Sequence, residues 1–472
     1  MTTVDVCVLG AGAAGLAAAI EAHDAGRSVL VLEAAPEVGG SSALSGGVIY
    51  AGGTSVQREH GIEDSVRAVY ERYLDVNRWA VEPGMAMAFA QGAADAIEWL
   101  RGMGVEFGLV IASPIEEIRR GHKTQGLGAK LMEVLDREVR ARGIEVRTRS
   151  RVDGLVVEDG RVVGVTVGDD RVDAGAVVIA TGGFGQSRDM IEQHLPSTAM
   201  HGEVVWSVSA PTCVGDGLHL GEQAGAAVVG HDRCLALITP GFGTYFDVVP
   251  PAWLVYVNAH GQRFCDEKMP YGTTSHLVGA QPAGIAWAIL DADTFAFAEP
   301  GTPSHQGGPS PNWNNRELTR AIEEGLAVRA DSVAELAAAL GIDAEGLQTT
   351  LDVYNADVEA GVDTRFGKDP AWMRPVRTAP FVAAPIRPAM IALTSCGVRI
   401  DPSARALTAA GAVIPGLYAG GETTGGAMGP QYAGSGSSIA NSLVFGRLAG
   451  RTAAADTAPT TAGTTAENEE HG

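Results

Sequence analysis

VDVCVLGAGAAGLAAAIEAHDAGRSVLVLE, residues 4–33, carries three signals in order. Val4–Leu9 is a short apolar run of strand type. GAGAAG at 10–15 then opens an alanine-rich helical stretch to Ala25, and Gly26 stops it before a second apolar run, Ser28–Leu32, ends in Glu33. This is a βαβ unit with G-x-G-x-x-G at its first turn and an acidic residue 23 positions after Gly10. Each glycine has its own reason: Gly10 makes the tight turn, Gly12 lets the backbone approach a pyrophosphate, and Gly15 lets helix and strand pack closely. Phosphates beside Ala13 and Ala14 would meet the N–H groups and dipole of the helix N-terminus. Glu33, followed by Ala34, would accept hydrogen bonds from an adenosine ribose.

The rest of the chain fits around that unit. Its 472 residues allow two to four domains or one large cofactor domain with an insertion. Asp159-Gly160 reads as a two-residue hairpin between VDGLVVE and RVVGVTV, and AVVIATGG at 176–183 is a buried strand ending in glycines. The stretch TPGFGTYFDVVPPAW, 239–253, marks a boundary. Beyond it, Ser332-x-x-Glu335 and Asp343 cap two helical stretches, and PFVAAPIRP at 380–388 reads as a proline-punctuated return. From 452 the chain is small, polar and acidic, a composition expected to be disordered.

Composition excludes several functions. With 34 basic and 56 acidic residues the formal charge is −22, which repels nucleic acid and anionic lipid. The five cysteines are far apart, with no CxxC and no Cys/His cluster, so neither a disulfide framework nor a metal site is expected. His23, His194 and His231 show no partner spacing. No basic leader or apolar run of spanning length is visible, so a reduced, cytoplasmic setting without a transmembrane segment is expected. Only four of the basic residues are lysine, a bias of GC-rich bacterial genomes.

Further motifs follow at GGSSALSGG (39–47), VVIATGGFG (177–185), GDG (215–217), HGQRFCDE (260–267), IPGLYAGGETTGG (414–426) and FGRLAG (445–450). With GAGAAG and Glu33, this set resembles the fumarate reductase/succinate dehydrogenase flavoprotein family, which also holds the 3-ketosteroid dehydrogenases. The resemblance covers nearly the whole chain apart from the tail. It implies an α/β fold: a Rossmann-like FAD-binding domain made of residues 1–235 and 387–451, with an inserted α+β catalytic domain at 236–386. FAD would be bound non-covalently, because the place of the flavin-linked histidine is here near Gly40.

By the same resemblance, Gly40, Ser41, Ser42, Ser45, Gly46 and Gly47 pass along the isoalloxazine. Val152, Ala180, Thr181 and Gly182 line the cofactor cleft, and Asp216 and Glu422 contact the ribityl chain or phosphates. The helix opening at Ser437, Ser438 and Ile439 aims its N-terminus at the flavin, where it stabilises charge developing on reduction.

Dicarboxylate enzymes of the family carry cationic residues at three places where this chain has Leu393, Tyr432 and Tyr271. A tyrosine hydroxyl cannot replace a guanidinium in charge or donor count. The strings RFCDEKMPY and YAGSG match the ketosteroid branch instead. That match implies Tyr432 O–H and Gly436 N–H as donors to a ketone oxygen, an oxyanion-hole arrangement, and Tyr271 as the base taking the α proton. A phenol near ~10 needs a partner to lower it or accept its proton, and Lys268, three residues earlier, is either that neighbour or a solvated loop lysine. The aromatics Phe242, Tyr245, Phe246, Trp253 and Tyr256 could line an apolar wall or simply pack in the core.

The expected activity is introduction of a C=C bond next to a ketone in a small hydrophobic cyclic substrate. Oxygen, a quinone or another external electron acceptor would reoxidise the flavin. ALSGGVIYAGG resembles the 4,5-desaturating relatives, whereas the spacing in YAGSG fits the 1,2-desaturating ones, so the bond stays open. An ene-reductase and an electron-transfer subunit are the alternatives.

Overall fold

The computed structural model describes residues 2–111, 118–243, 247, 250–305 and 308–458. Its largest sheet is centred on strand Thr2–Leu9, which pairs in parallel with Val29–Leu32 on one side and Asp170–Ile179 on the other. Glu145–Arg147 extends it beyond Val29–Leu32, and Val413–Ala419 pairs in parallel with Asp170–Ile179. Chain segments more than 200 residues apart in sequence therefore share one sheet. The four strand residues Val29–Leu32 are buried on both faces, as parallel strands under helices must be. Strands Gly154–Glu158 and Arg161–Val167 form a hairpin whose loop residues, Asp159 and Gly160, both have positive φ (50° and 76°), the primed turn that this pair favours.

Helix Ala13–Asp24 lies against this sheet and packs on helix Ser437–Asp456. The approach is close because of two glycines in FGRLAG: a Cβ on Gly446 would lie 2.3 Å from the Ala14 carbonyl oxygen, and one on Gly450 2.2 Å from that of Ala18. Arg447 then donates to Glu21 at 2.6 Å. The Ser437 helix runs to Asp456, five residues into the segment read from composition as a disordered tail. Ala453 and Ala454 are buried and Tyr418 O–H donates to Asp456 at 2.6 Å, so packing overrides the polar composition there. Residues 459–472 lie outside the described part.

A second sheet is organised by the 14-residue strand Phe381–Thr394, which pairs with Cys234–Thr239, Ala286–Leu290, Val328–Ala330 and Trp206–Ser207. The segment read as a proline-punctuated return is part of this strand, which also runs across the 386/387 boundary. Its prolines are tolerated where the ladder is interrupted. Pro385 falls between the residues paired with Val328–Ala330 and those paired with Cys234–Thr239, and Pro388 sits at a register shift. Ser332 and Asp343 cap their helices as expected, accepting from the N–H groups of Glu335 (3.2 Å) and Glu345 (3.1 Å).

Candidate active site

The three glycines of the first turn behave differently. Gly10 has φ +99° and a Cβ there would be 2.4 Å from the Ala180 carbonyl oxygen; on Gly15 it would be 1.9 Å from that of Gly10. On Gly12 the nearest atom would be Ser42 Oγ at 3.7 Å. Gly10 and Gly15 are thus packed against protein backbone, while Gly12 faces an open cleft at the carboxyl ends of the parallel strands.

That cleft is lined by Gly10, Gly12, Ala13, Ala14, Glu33, Ala34, Gly40, Ser41, Ser42, Val152, Ala180, Thr181, Gly182, Asp216 and Glu422, fifteen of the expected cofactor positions. Glu33 is buried and accepts from the N–H groups of Ala11 (2.6 Å) and Ala35 (2.7 Å). Asp216 is paired with Arg151, and both line the cleft. Thr181 Oγ1, buried and without a hydrogen-bond partner among the described residues, also lines it. A cleft with the backbone bared at Gly12, a helix N-terminus, an acidic side chain at the strand end and an unsatisfied hydroxyl suits the pyrophosphate, ribose and ribityl groups of FAD.

Gly15 does not reach the cleft; it works beneath it, in packing. Ser437 does not line the site either. Its hydroxyl donates to the Gly434 carbonyl (2.9 Å), a bond that tightens the turn before the helix.

Ser41, Ser42, Glu422 and Ser442 belong both to the cleft and to a cavity of about 980 Å³, at the large end of small-molecule sites. Glu422 accepts from Thr394 through its N–H (2.8 Å) and its hydroxyl (3.0 Å), and burial pushes its carboxyl above the usual carboxylate range against those bonds. The cavity wall includes Ser45, Gly46, Gly47, Ser438 and Ile439, together with Tyr271, Tyr432, Gly436 and Leu393. Trp206, Val208, Leu235 and Leu237 supply its apolar surface.

Tyr271 and Tyr432 meet there, their ring centroids 6.0 Å apart. Tyr271 is the first residue of helix Tyr271–Gly279, set by Pro270 immediately before it. The segment leading to it is anchored by a buried ion network. Arg263 donates to Glu267 (2.8 Å) and Asp363 (2.9 Å), Lys368 reaches Glu267 at 3.1 Å, and the Arg263 guanidinium lies over the rings of Tyr354 and Phe366. The Arg and Glu of RF-x-x-E therefore hold the turn that presents Tyr271.

Tyr432 sits over the N-terminus of the Ser437 helix, where the Ser438 N–H donates to its hydroxyl at 3.2 Å. Burial pushes this phenol above its ordinary range, while the N–H groups of Ser438, Gly436 and Ser437 pull the other way. It stays protonated at neutral pH, and with its oxygen accepting from the helix, its own O–H is left to donate. Gly436 is required at this turn: its φ is +94°, and a Cβ would come within 2.7 Å of Val48 backbone.

Several readings change here. Lys268 lines the cavity, but its ammonium is bonded to Asp369 at 2.9 Å. Phe242, Trp253 and Tyr256 are buried in the core of the second sheet and do not line the cavity; Tyr245 and Phe246 lie outside the described residues. His194 and His231, unremarkable by spacing, stack with Nδ1 atoms 3.3 Å apart, and Cys396 joins them in a group whose ligand atoms lie within 4.8 Å. Arg72, His305, Trp206 and Val208 were missed on the cavity wall because they come from segments without motifs.

Over residues 5–439 the sequence matches the FAD binding domain family. The chain belongs to that family. It is 31% identical to a probable fumarate reductase of Shewanella frigidimarina, covering 95% of this chain and 74% of the relative. It is 27% identical to a 3-oxosteroid 1-dehydrogenase of Mycolicibacterium smegmatis, with 94% and 96% covered. Among solved structures it resembles the 3-ketosteroid-Δ4-(5α)-dehydrogenase of Rhodococcus jostii RHA1, at a TM-score of 0.77 and 27% identity, covering 96% of this chain and 97% of that one. This flavoprotein therefore binds FAD and is an oxidoreductase acting on CH–CH groups. Among its described residues no helix is long and apolar enough to cross a membrane.

Proposed function

We propose that this flavoprotein is a dehydrogenase that introduces a C=C bond α,β to a ketone in a hydrophobic cyclic substrate of 3-ketosteroid type. The observation that carries this is the tyrosine pair on the wall of an apolar cavity continuous with the FAD cleft, with Leu393 at the third position where dicarboxylate enzymes carry a cation. When bound, FAD supplies the hydride acceptor. Tyr432, protonated and polarised by the helix N–H groups behind it, donates to the ketone oxygen and stabilises the enolate that forms as the α proton leaves. Tyr271 acts as its phenolate and becomes a neutral phenol as it takes that proton, with the buried Arg263–Glu267 network holding its turn in place. The apolar walls orient the rings and exclude water. External acceptors such as oxygen or a quinone complete turnover.

Tyr432→Phe and Tyr271→Phe should each keep FAD yet lose turnover by about 10²-fold or more, the usual scale for a lost oxyanion donor or acid/base group. The readout is anaerobic bleaching of the flavin by a panel of 3-oxo steroids and smaller cyclic ketones. Near-normal bleaching by either variant removes its role, and no bleaching of the native protein by any ketone removes the dehydrogenase reading. Reoxidation of the chemically reduced protein by enones, without bleaching by ketones, would establish the reverse, ene-reductase direction that the reductase relatives favour.

A further inference from the structure

The charged side chains on the cavity wall are accounted for with one exception. Lys268 is bonded to Asp369, and Glu422 is held by Thr394. His305 is pushed down to about 4 by burial and the nearby lysines, so it is neutral at physiological pH. Arg72 lines the same cavity, but it makes no ion pair or hydrogen bond among the described residues, and its Nε is buried. A guanidinium cannot shed its proton in a protein. A buried donor left unmatched is costly, so an arginine whose buried Nε faces an apolar cavity without a partner calls for an anion that arrives with the ligand.

Its backbone is fixed. Arg72 lies on helix Val66–Val76, and the next residue, Tyr73, donates to the Ala427 carbonyl at 3.0 Å. Past the end of the helix, Asn77 accepts from the Gln431 N–H at 2.9 Å and packs so closely on Gly429 that a Cβ there would lie 2.0 Å from its Oδ1. The helix bearing the cation is thus fastened to the segment bearing Tyr432. Cation and carbonyl donor sit on one rigid frame facing one cavity.

We infer that Arg72 is an anion subsite and that the substrate is a hydrophobic cyclic ketone that also carries a carboxylate. The ketone docks at Tyr432 and the carboxylate at Arg72, with the ring system on the Trp206, Leu235 and Leu393 surface between them. A monoanion fits better than a phosphate dianion, because the second cation of the wall, Lys268, is already neutralised by Asp369. This inference rests on the proposed dehydrogenase reading and narrows its substrate class.

The test uses FAD-loaded native protein, Arg72→Met and Arg72→Lys. Each is given a 3-oxo steroid whose side chain ends in a carboxylate, and the methyl ester of the same steroid. With native protein the acid should be the better substrate. Arg72→Met should lower kcat/KM for the acid about 10- to 100-fold, chiefly through KM, and change the ester less than about 3-fold, the scale of one charge-assisted hydrogen bond. Arg72→Lys should recover part of the loss. Binding of the acid to the oxidised protein, followed by perturbation of the flavin spectrum, should weaken in parallel without any turnover.

Equal effects on acid and ester, or none, would overturn the inference while leaving the dehydrogenase intact. So would a changed flavin spectrum or FAD content in Arg72→Met without ligand, which would assign the cation to the flavin. If native protein turns over neither steroid but is bleached by another ketone of the panel, the inference falls and the dehydrogenase stands; if no ketone bleaches it, the underlying reading fails as well.

Discussion

The FAD cleft and the cavity beside it share four residues and are built on opposite logic. The cleft is made of backbone. Glycines bare it or let it pack, and its main side chain, Glu33, is itself held by two backbone N–H groups. The cavity is made of side chains from at least six separate segments, around residues 72, 206, 235, 271, 393 and 432. A backbone site works for any sequence that keeps the turn and so recurs as a motif, while a side-chain site can change its ligand by single substitutions on an unchanged frame.

The contrast can be broken first at the glycines. Gly15→Ala drives a Cβ to 1.9 Å from the Gly10 carbonyl, backbone against backbone, and nothing there can rotate away. The expected loss exceeds about 4 kcal/mol, seen as failure to recover soluble protein or as an early thermal transition. Gly12→Ala meets nothing closer than 3.7 Å. It should fold and melt like the native apoprotein yet bind FAD at least about 10-fold more weakly, measured by fluorescence titration. If both variants lose the fold, or both keep FAD, the division of labour within this turn is wrong.

On the cavity side, the equivalent of Gly15 is Glu267. Glu267→Ala leaves Arg263 with Asp363 as its remaining acidic partner and strips the buried Lys368 ammonium of its carboxylate, leaving it the Leu254 carbonyl, and removing one member of such a network costs about 3–5 kcal/mol. Chemical denaturation measures the loss. Turnover should fall with it under conditions where the variant remains folded and FAD-loaded, since the turn presenting Tyr271 loses its anchor.

This difference also sets what could be read from sequence. The βαβ unit with the cofactor positions of its first turn, the 159–160 hairpin and both helix caps were legible because each depends on local chain geometry: a positive φ, a capping oxygen, a missing Cβ; the cofactor positions from Gly40 onward came through resemblance. Tyr271, Tyr432 and Leu393 were legible through resemblance, as departures from a known pattern. Arg72 and His305 were not, since an arginine on an amphipathic helix reads as solvated surface until tertiary packing turns it inward. Strand Phe381–Thr394 was hidden by prolines whose cost depends on which neighbours pair at those positions. Residues 452–456 at the start of the tail are helical against that expectation because alanines that look featureless in composition are good helix formers once a partner is there to pack on.

Acid separates the network behind Tyr271 from the junction of cleft and cavity, because the carboxylates in these two places are displaced in opposite directions. Burial pushes Glu267 and Asp363 up, but Arg263 and Lys368, with backbone donors, hold both below their ordinary range. A depressed group stabilises the fold fully above its unfolded value, near ~4, and that contribution drains away as the pH falls through the lowered one. Glu422, displaced upward by burial, behaves in the reverse sense: its contribution is present below its unfolded value and is lost as pH rises through the raised one. Native protein should therefore lose stability between pH 5 and pH 3 mainly through the network behind Tyr271. Glu267→Gln, less stable at pH 7, should show a flatter thermal midpoint against pH across that interval, because one of the draining groups is gone. Glu422→Gln should leave the acid slope of the network intact. A slope unchanged in Glu267→Gln but altered in Glu422→Gln would place the acid-sensitive element at the junction of cleft and cavity, not in the network behind Tyr271.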